Sequence, residues 1–261
     1  MTDLRALNEL DGEALKAALS GPPEKVAAVL RAAAEGGAVE AQLRLGQMLL
    51  DGHGLAPSPA DALRWFGVAA RAGHPMGMNM VGRCLEHGWG TQADKTRAAE
   101  WYRAAADRGL DWGMYNLATL LSLGEGVERD LPQALEWFRK AAASGHVKSI
   151  NMIGSFYEDG WAVQPDRAEA ARHYARAAEG GDFRGQFNHA RLLIEDGRIE
   201  DALPWLRRLP ETATGRFMAQ VRDWLKRQPD QRLRDAARDL QGEQDMQARW
   251  RSPASDALIR P

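Results

Sequence analysis

The residues that most often carry chemistry are few in this chain, and their spacing does not suit a reaction. Cys84 is the only cysteine, and the six histidines include no His-x-x-x-His pair that could hold a metal ion on one helix. Gly-x-Gly turns occur, but no strand precedes them as a phosphate-binding loop requires. No pair of a nucleophilic residue and a general base can be identified from the sequence. We therefore predict no catalytic residue, no metal ion and no cofactor.

A second set of residues is suited to recognition. Amides can bond a peptide backbone, cations can hold its acidic groups, and aromatic rings supply most of the binding energy at interfaces. We predict that residues of these types line a groove for an extended peptide. The alternative is that they are ordinary solvated or edge-packing residues. The set comprises Asn79, Arg83, Trp112, Tyr115, Lys148, Asn151, Arg184, Phe187 and Arg191.

The elements that position these residues come from a strict 36-residue period. A fixed period of this length indicates a chain built by stacking one supersecondary unit. Aromatic and alanine positions keep the same register, as in Trp65, Trp101 and Trp137. The glycines that define the period are Gly37, Gly73, Gly109, Gly145 and Gly181.

Each period predicts two helices. The first carries small or apolar residues at helical spacing and ends at a glycine-rich turn. The second begins at a capping residue such as Ser58, Asp130 or Asp166, each followed by an acidic or amide residue three positions later. Small residues also recur at equivalent positions of successive repeats, as in the series that begins at Gly46. Such a column of small residues lets neighbouring helices approach each other closely. The fold class is predicted to be all-α, a right-handed α-solenoid of stacked antiparallel helix pairs.

The repeats divide the chain into four regions. Residues 1–37 are predicted to hold N-terminal helices and a degenerate capping half-repeat. Residues 38–210 hold five repeats, the last one shortened. Residues 211–228 form a capping helix whose Phe217, Val221, Trp224 and Leu225 cover the end of the stack. Residues 229–261 are dense in Arg, Asp and Gln, and we expect a solvated helix or disorder there.

Composition limits the remaining classes of function. The chain has 261 residues, 44% of them apolar, and a net charge of −2, which gives no nucleic-acid footprint. It shows neither a signal peptide nor a membrane-spanning run, so we expect a cytoplasmic protein. Arginine far outnumbers lysine, as in GC-rich bacterial genomes. The sequence leaves monomer and dimer open.

The pattern of glycines, alanines and aromatic residues resembles the Sel-one-like repeat (SLR) family, relatives of the tetratricopeptide repeats. The resemblance implies an adaptor in protein-complex assembly or signalling, with first helices lining a concave surface. Departures from the pattern occur at Ala162 and His189 and in the loop of the fifth repeat. The third repeat carries the pattern best, at Leu117, Gly124, Gly126, Val127, Asp130, Ala134, Trp137, Phe138, Ala141, Ala142 and Gly145.

We therefore predict a non-enzymatic scaffold that binds a protein or peptide in the concave groove. One alternative is an immunity or inhibitor protein for a bacterial toxin. Another is a β-lactam hydrolase, which the single cysteine argues against, since such relatives are rich in disulfides. Trp89 and Trp161 occupy equivalent loop tips. Each ring either makes exposed contacts or, as we favour, folds back over its own loop and packs on the next repeat. Cys84 lies on an apolar stripe and is expected in the core.

Overall fold

The computed structural model describes residues 20–250, and within that range all regular structure is helical. The helix predicted for the first residues and the end of the predicted tail, residues 251–261, lie outside the described range. Besides one short 3-10 helix (Leu209–Glu211), the α-helices are α1 (Pro23–Glu35), α2 (Val39–Asp51), α3 (Pro59–Arg71), α4 (Pro75–His87), α5 (Lys95–Ala106), α6 (Asp111–Leu123), α7 (Leu131–Ala143), α8 (Val147–Asp159), α9 (Arg167–Glu179), α10 (Phe183–Glu195), α11 (Ile199–Arg208), α12 (Gly215–Lys226) and α13 (Gln231–Trp250).

First and second helices of the repeats alternate along the chain. The first helices are the even-numbered α2 to α10, and the second helices are the odd-numbered α3 to α11. Helix α1 is the second helix of an incomplete repeat. Successive helices pack on each other, as α4 does on α5 and α8 on α9. Helix pairs with the predicted period are therefore confirmed.

The predicted capping residues begin the second helices. Ser58 Oγ accepts a hydrogen bond from the backbone N–H of Asp61, and Asp166 Oδ1 accepts one from that of Glu169. These bonds satisfy N–H groups that lack a partner inside the helix. At the other end, the 36-spaced glycines have left-handed backbones, with φ of 86° at Gly73. In the turn that follows the first helix, Ala162 stands where the other repeats have Gly54, Gly90 and Gly126. It keeps their left-handed backbone, with φ of 58°, so its loop follows the same path without a glycine.

Small residues bring the two helices of a repeat into close contact. A Cβ added to Gly82 would lie 2.6 Å from Cε1 of Tyr102 in the same repeat, and one added to Gly154 would lie equally close to Cε1 of Tyr174. Both tyrosine rings are fully buried. Burial of such a ring contributes about 2–3 kcal/mol.

The chain divides into two compact units between Trp137 and Phe138, inside α7. The first unit contains α1 to α6, with Phe66, Tyr102 and Leu117 among its buried residues. The second unit contains α8 to α13. Each unit therefore has its own core built from first and second helices.

The C-terminal helices close the core of the second unit. Val221 and Leu225 of α12 are buried there, and Phe217 and Trp224 pack against the same cluster. Helix α13 differs from the expected solvated segment, because Leu233, Ala236, Ala237 and Leu240 are buried in that cluster as well. Their spacing places them on one face, which the surrounding Arg, Asp and Gln residues conceal in the sequence.

Candidate partner-binding surface

The nine residues predicted to bind a partner lie on the first helices. They occupy three columns of equivalent positions, which lie six residues before, three residues before and one residue after a series of small residues. We call these three columns the first-helix face. The series of small residues is Gly46, Gly82, Ala118, Gly154 and Ala190. In the first unit α4 contacts α6, and in the second unit α8 contacts α10. Residues of consecutive repeats in one unit can therefore meet on this face.

The two asparagines of the set are interior residues. Asn79 is 3% exposed and Asn151 is 4% exposed. Asn79 Oδ1 accepts a hydrogen bond of 2.9 Å from Asn116 Nδ2, and Asn151 Oδ1 accepts one of 3.0 Å from Asn188 Nδ2. This differs from the expectation of amides free for a peptide, because the first helix of the next repeat covers them. Their bonds join the first helices of consecutive repeats.

In the first unit the remaining candidates are more accessible. Trp112 is 39% exposed, and its ring meets that of Tyr115 edge to face at 6.3 Å between centroids. Arg83 is half-buried, and its guanidinium carbon lies 5.1 Å from the centroid of the Trp89 ring. Leu123, which the sequence reasoning missed, is 61% exposed at the end of the same helix as Trp112. The i, i+3, i+7, i+11 spacing from Trp112 was the available signal.

In the second unit two candidates are engaged inside the fold. Phe187 packs edge to face against Phe217 and Trp224 of the capping helix. Arg191 forms ion pairs with Glu158 at 2.7 Å and with Glu195 at 2.8 Å. These residues therefore stabilise the second unit.

The other two candidates of the second unit are cations beside a buried carboxyl group. Arg184 is exposed and lies 4.7 Å from the ring centroid of Phe183, whereas Lys148 is half-buried. Asp182 accepts a hydrogen bond of 2.7 Å from the backbone N–H of Gly185. Burial raises the pKa of Asp182, and the positive charges of Arg184 and Lys148 oppose that rise.

A pair of tyrosine–carboxylate contacts beside this face escaped the sequence reasoning. The Tyr102 hydroxyl donates to Glu86 Oε2 at 2.5 Å, and the Tyr174 hydroxyl donates to Glu158 Oε2 at 2.7 Å. Burial is the main cause that raises the pKa of both tyrosines. The tyrosine and the glutamate of the second contact each lie 72 residues after those of the first. This periodicity is visible in the sequence and could have indicated the contacts.

The loop tryptophans contact their own repeats. The ring centroid of Trp89 lies 4.7 Å from that of His87. Trp161 stays 37% exposed, with its ring edge to face against Phe156 at 5.6 Å. Both rings therefore fold back on their own repeats, and these contacts do not extend to the next repeat as the favoured interpretation expected.

Other titratable residues are built into the packing. Cys84 is buried, as expected, and loss of solvent raises the pKa of its thiol to about 12. His173 stacks on Tyr157, and His189 meets Trp205 edge to face. Residues 20–250 hold no group of three or more His, Cys, Asp or Glu side chains placed to bind a metal ion. In the same range, no helix is long and apolar enough to cross a membrane.

Comparison with known protein families identifies the repeats of this chain. The Sel1 repeat model matches residues 39–74, 75–110, 113–146 and 147–182. The chain belongs to the Sel1 repeat family. Sel1 repeat proteins generally mediate protein–protein interactions. Among curated protein sequences no significant match is found.

Solved Sel1 repeat structures share the architecture. A Sel1 repeat protein from Oxalobacter formigenes is 23% identical, with a TM-score of 0.74 over 93% of this chain and 100% of that one. A protective antigen of uropathogenic Escherichia coli that displays an SLR fold is 26% identical, with a TM-score of 0.64 over 85% of this chain. This chain covers 49% of that antigen, about half its length.

An immunity protein from Pseudomonas aeruginosa is 21% identical, with a TM-score of 0.50 over 70% of this chain and 72% of that one. At this identity the likeness concerns the fold alone. Together with the helix pairs, these comparisons confirm the predicted fold class, a right-handed α-solenoid of antiparallel helix pairs.

Proposed function

We propose that this Sel1 repeat protein is a scaffold that binds a partner polypeptide through the first-helix face and performs no chemistry on it. The family's general role in protein–protein interaction supports the first part of the proposal. A stripe of residues on α6 is the observation that carries it furthest. The stripe is exposed at its two ends, Trp112 and Leu123, and half-buried between them at Tyr115 and Thr119.

The α6 stripe has the character of an interaction surface. Trp112 and Leu123 are large apolar residues that remain exposed at its two ends. Large exposed apolar side chains that share one surface mark interaction sites, and tryptophan is enriched among the residues that dominate binding energy. We therefore assign Trp112 as the main anchor for a partner, with Tyr115 beside it.

Cations on the first-helix face of each unit favour a partner with acidic groups. In the first unit Arg83 lies on the first-helix face, one residue after Gly82. In the second unit Lys148 and Arg184 stand on that face in the column to which Trp112 belongs. Charge-assisted hydrogen bonds to carboxylates are stronger than neutral ones. Asn79 and Asn151 support this surface from inside, because their amides connect consecutive first helices.

The absence of catalysis is part of the same proposal. The strongest nucleophile by residue type, Cys84, is buried, and its raised pKa keeps the thiol protonated at neutral pH, the unreactive form. We expect no hydrolysis of a chromogenic β-lactam by the purified protein. Hydrolysis that persists through repurification contradicts this part.

The test is affinity capture from the native cell, followed by mass spectrometry, with a matched pair of tryptophan variants. Trp112→Ala removes the proposed anchor. Trp161→Ala removes a tryptophan of nearly equal exposure that packs on its own loop. Proteins captured by wild type and by Trp161→Ala should be lost with Trp112→Ala, while thermal unfolding of Trp112→Ala stays unchanged. Equal capture by Trp112→Ala and wild type contradicts the proposal.

The same experiment separates a scaffold from an immunity protein. If the captured partner is a toxin, adding the Sel1 repeat protein should suppress its activity, and Trp112→Ala should fail to do so. A scaffold leaves the activity of its partner intact. The fold shared with an immunity protein makes this the second function to examine.

A further inference from the structure

A groove on the opposite, second-helix side of the first unit has no role in the proposed function. It lies between α1, α3 and α5 and has a volume of about 850 Å³. Trp65 and Trp101 line it and are half-buried, and buried Val81 and Leu85 of α4 also line it. Both rings therefore border an open space.

Gly67 keeps this groove open. A glycine inside a helix costs about 1 kcal/mol relative to alanine, and the buried small residues of this fold offset that cost through close packing. Gly67 does not, because a Cβ there would have only Arg71 Nη1 within 4 Å, at 3.4 Å. The equivalent positions one and two repeats later are Arg103 and Arg139. Packing therefore gives no reason for the glycine, whereas an open groove does.

The charges around the groove are mainly positive. Arg31, Arg71 and Arg97 line it, and they form no ion pair with the side chains that the structure describes, those of residues 20–240. A fourth arginine, Arg64, is paired with Asp61 at 3.0 Å. The chain as a whole carries a net charge of −2, so this surface is a local exception that favours an anionic ligand.

We propose that the groove between α1, α3 and α5 binds an acidic peptide segment whose apolar side chain sits against Trp65 and Trp101. Aromatic walls with an apolar base suit such an anchor, and the arginines suit carboxylates on either side of it. Single-stranded nucleic acid fits less well, because Glu35 and Asp61 also line the groove. Their carboxylates repel phosphates but can accept hydrogen bonds from peptide N–H groups.

The test is a selection of phage-displayed random peptides on the full-length protein. Wild type should enrich peptides rich in Asp and Glu around an aromatic or aliphatic residue. The consensus peptide, made fluorescent, should lose at least about tenfold in affinity with Gly67→Gln, whose uncharged side chain fills the groove. The double variant Arg71→Gln/Arg97→Gln should lose a similar factor, and added salt should weaken binding to wild type.

Two controls separate groove filling and local charge from general effects. Gly67→Ala leaves the groove open and should keep wild-type affinity. Arg176→Gln/Arg207→Gln makes the same change in net charge at exposed arginines of the second unit, and should also keep it. Three results overturn the proposal: no enrichment above the blocked surface, binding that Gly67→Gln leaves unchanged, or displacement of the peptide by lower concentrations of oligothymidine than of the unlabelled peptide.

Discussion

The same substitution at two helix glycines is expected to change stability in opposite directions. Gly67 lies in α3 and Gly82 lies in α4. A Cβ at Gly67 would meet only Arg71 Nη1 at 3.4 Å, the end of a flexible side chain. A Cβ at Gly82 would lie 2.6 Å from Cε1 and 2.7 Å from Cδ1 of the buried Tyr102 ring. Gly67→Ala and Gly82→Ala therefore differ only in what the new methyl group meets.

The magnitudes follow from helix propensity and packing. Alanine is favoured over glycine inside a helix by about 1 kcal/mol, so Gly67→Ala should raise the free energy of unfolding by about 0.5–1 kcal/mol. At Gly82 the ring must move away from the methyl group, although its hydroxyl is bonded to Glu86 at 2.5 Å. Overpacking of this kind costs about 2–3 kcal/mol. After the propensity gain, Gly82→Ala should lower the free energy of unfolding by about 1–2 kcal/mol.

Urea unfolding followed by circular dichroism measures both variants against wild type. The double variant Gly82→Ala/Tyr102→Leu tests the cause, because it imitates the fifth repeat, where Ala190 and Leu206 share one apolar cluster. The cost of Gly82→Ala should shrink when leucine replaces the ring. Shifts of the same sign at Gly67 and Gly82, or a cost that persists beside leucine, would refute the packing argument.

Three further outcomes are expected. Asn151→Ala should lower the free energy of unfolding by about 1–3 kcal/mol. In a double-mutant cycle, the double variant Asn151→Ala/Asn188→Ala should cost less than the sum of the two single variants. Burial lowers the pKa of His173 and of His189 below the ordinary 6.5, so the unfolded chain binds protons more readily and denaturation titrations should show stability falling as the pH drops below about 6.5. Cys84, buried with a raised pKa, should react with a thiol reagent only as fast as the protein unfolds.

Local features of this fold could be predicted from the sequence, whereas the burial of a side chain beneath the next repeat could not. The turn at Gly73 and the cap at Ser58 depend on residues within one loop, so their types determine the geometry. Asn79 was assigned to the correct helix, and a helical period fixes its angle about the axis. Whether a side chain at that angle is exposed to solvent depends on the first helix of the next repeat, which places Asn116 against Asn79. Leu233 was missed for a related reason, since few apolar residues surround it along the chain.

Two kinds of buried polar contact recur at every second repeat of this protein. A buried amide is costly unless it is hydrogen-bonded, and the partner of Asn79 comes from the following repeat. The same bond recurs 72 residues later between Asn151 and Asn188. The tyrosine–carboxylate contacts follow this doubled period as well, at Tyr102 and Tyr174. A 36-residue glycine ladder therefore fixes the backbone of each repeat, while the buried asparagine and tyrosine contacts follow a 72-residue pattern. Removing or inserting a single repeat would pair an asparagine with the wrong column, whereas exchanging a block of two preserves every such bond.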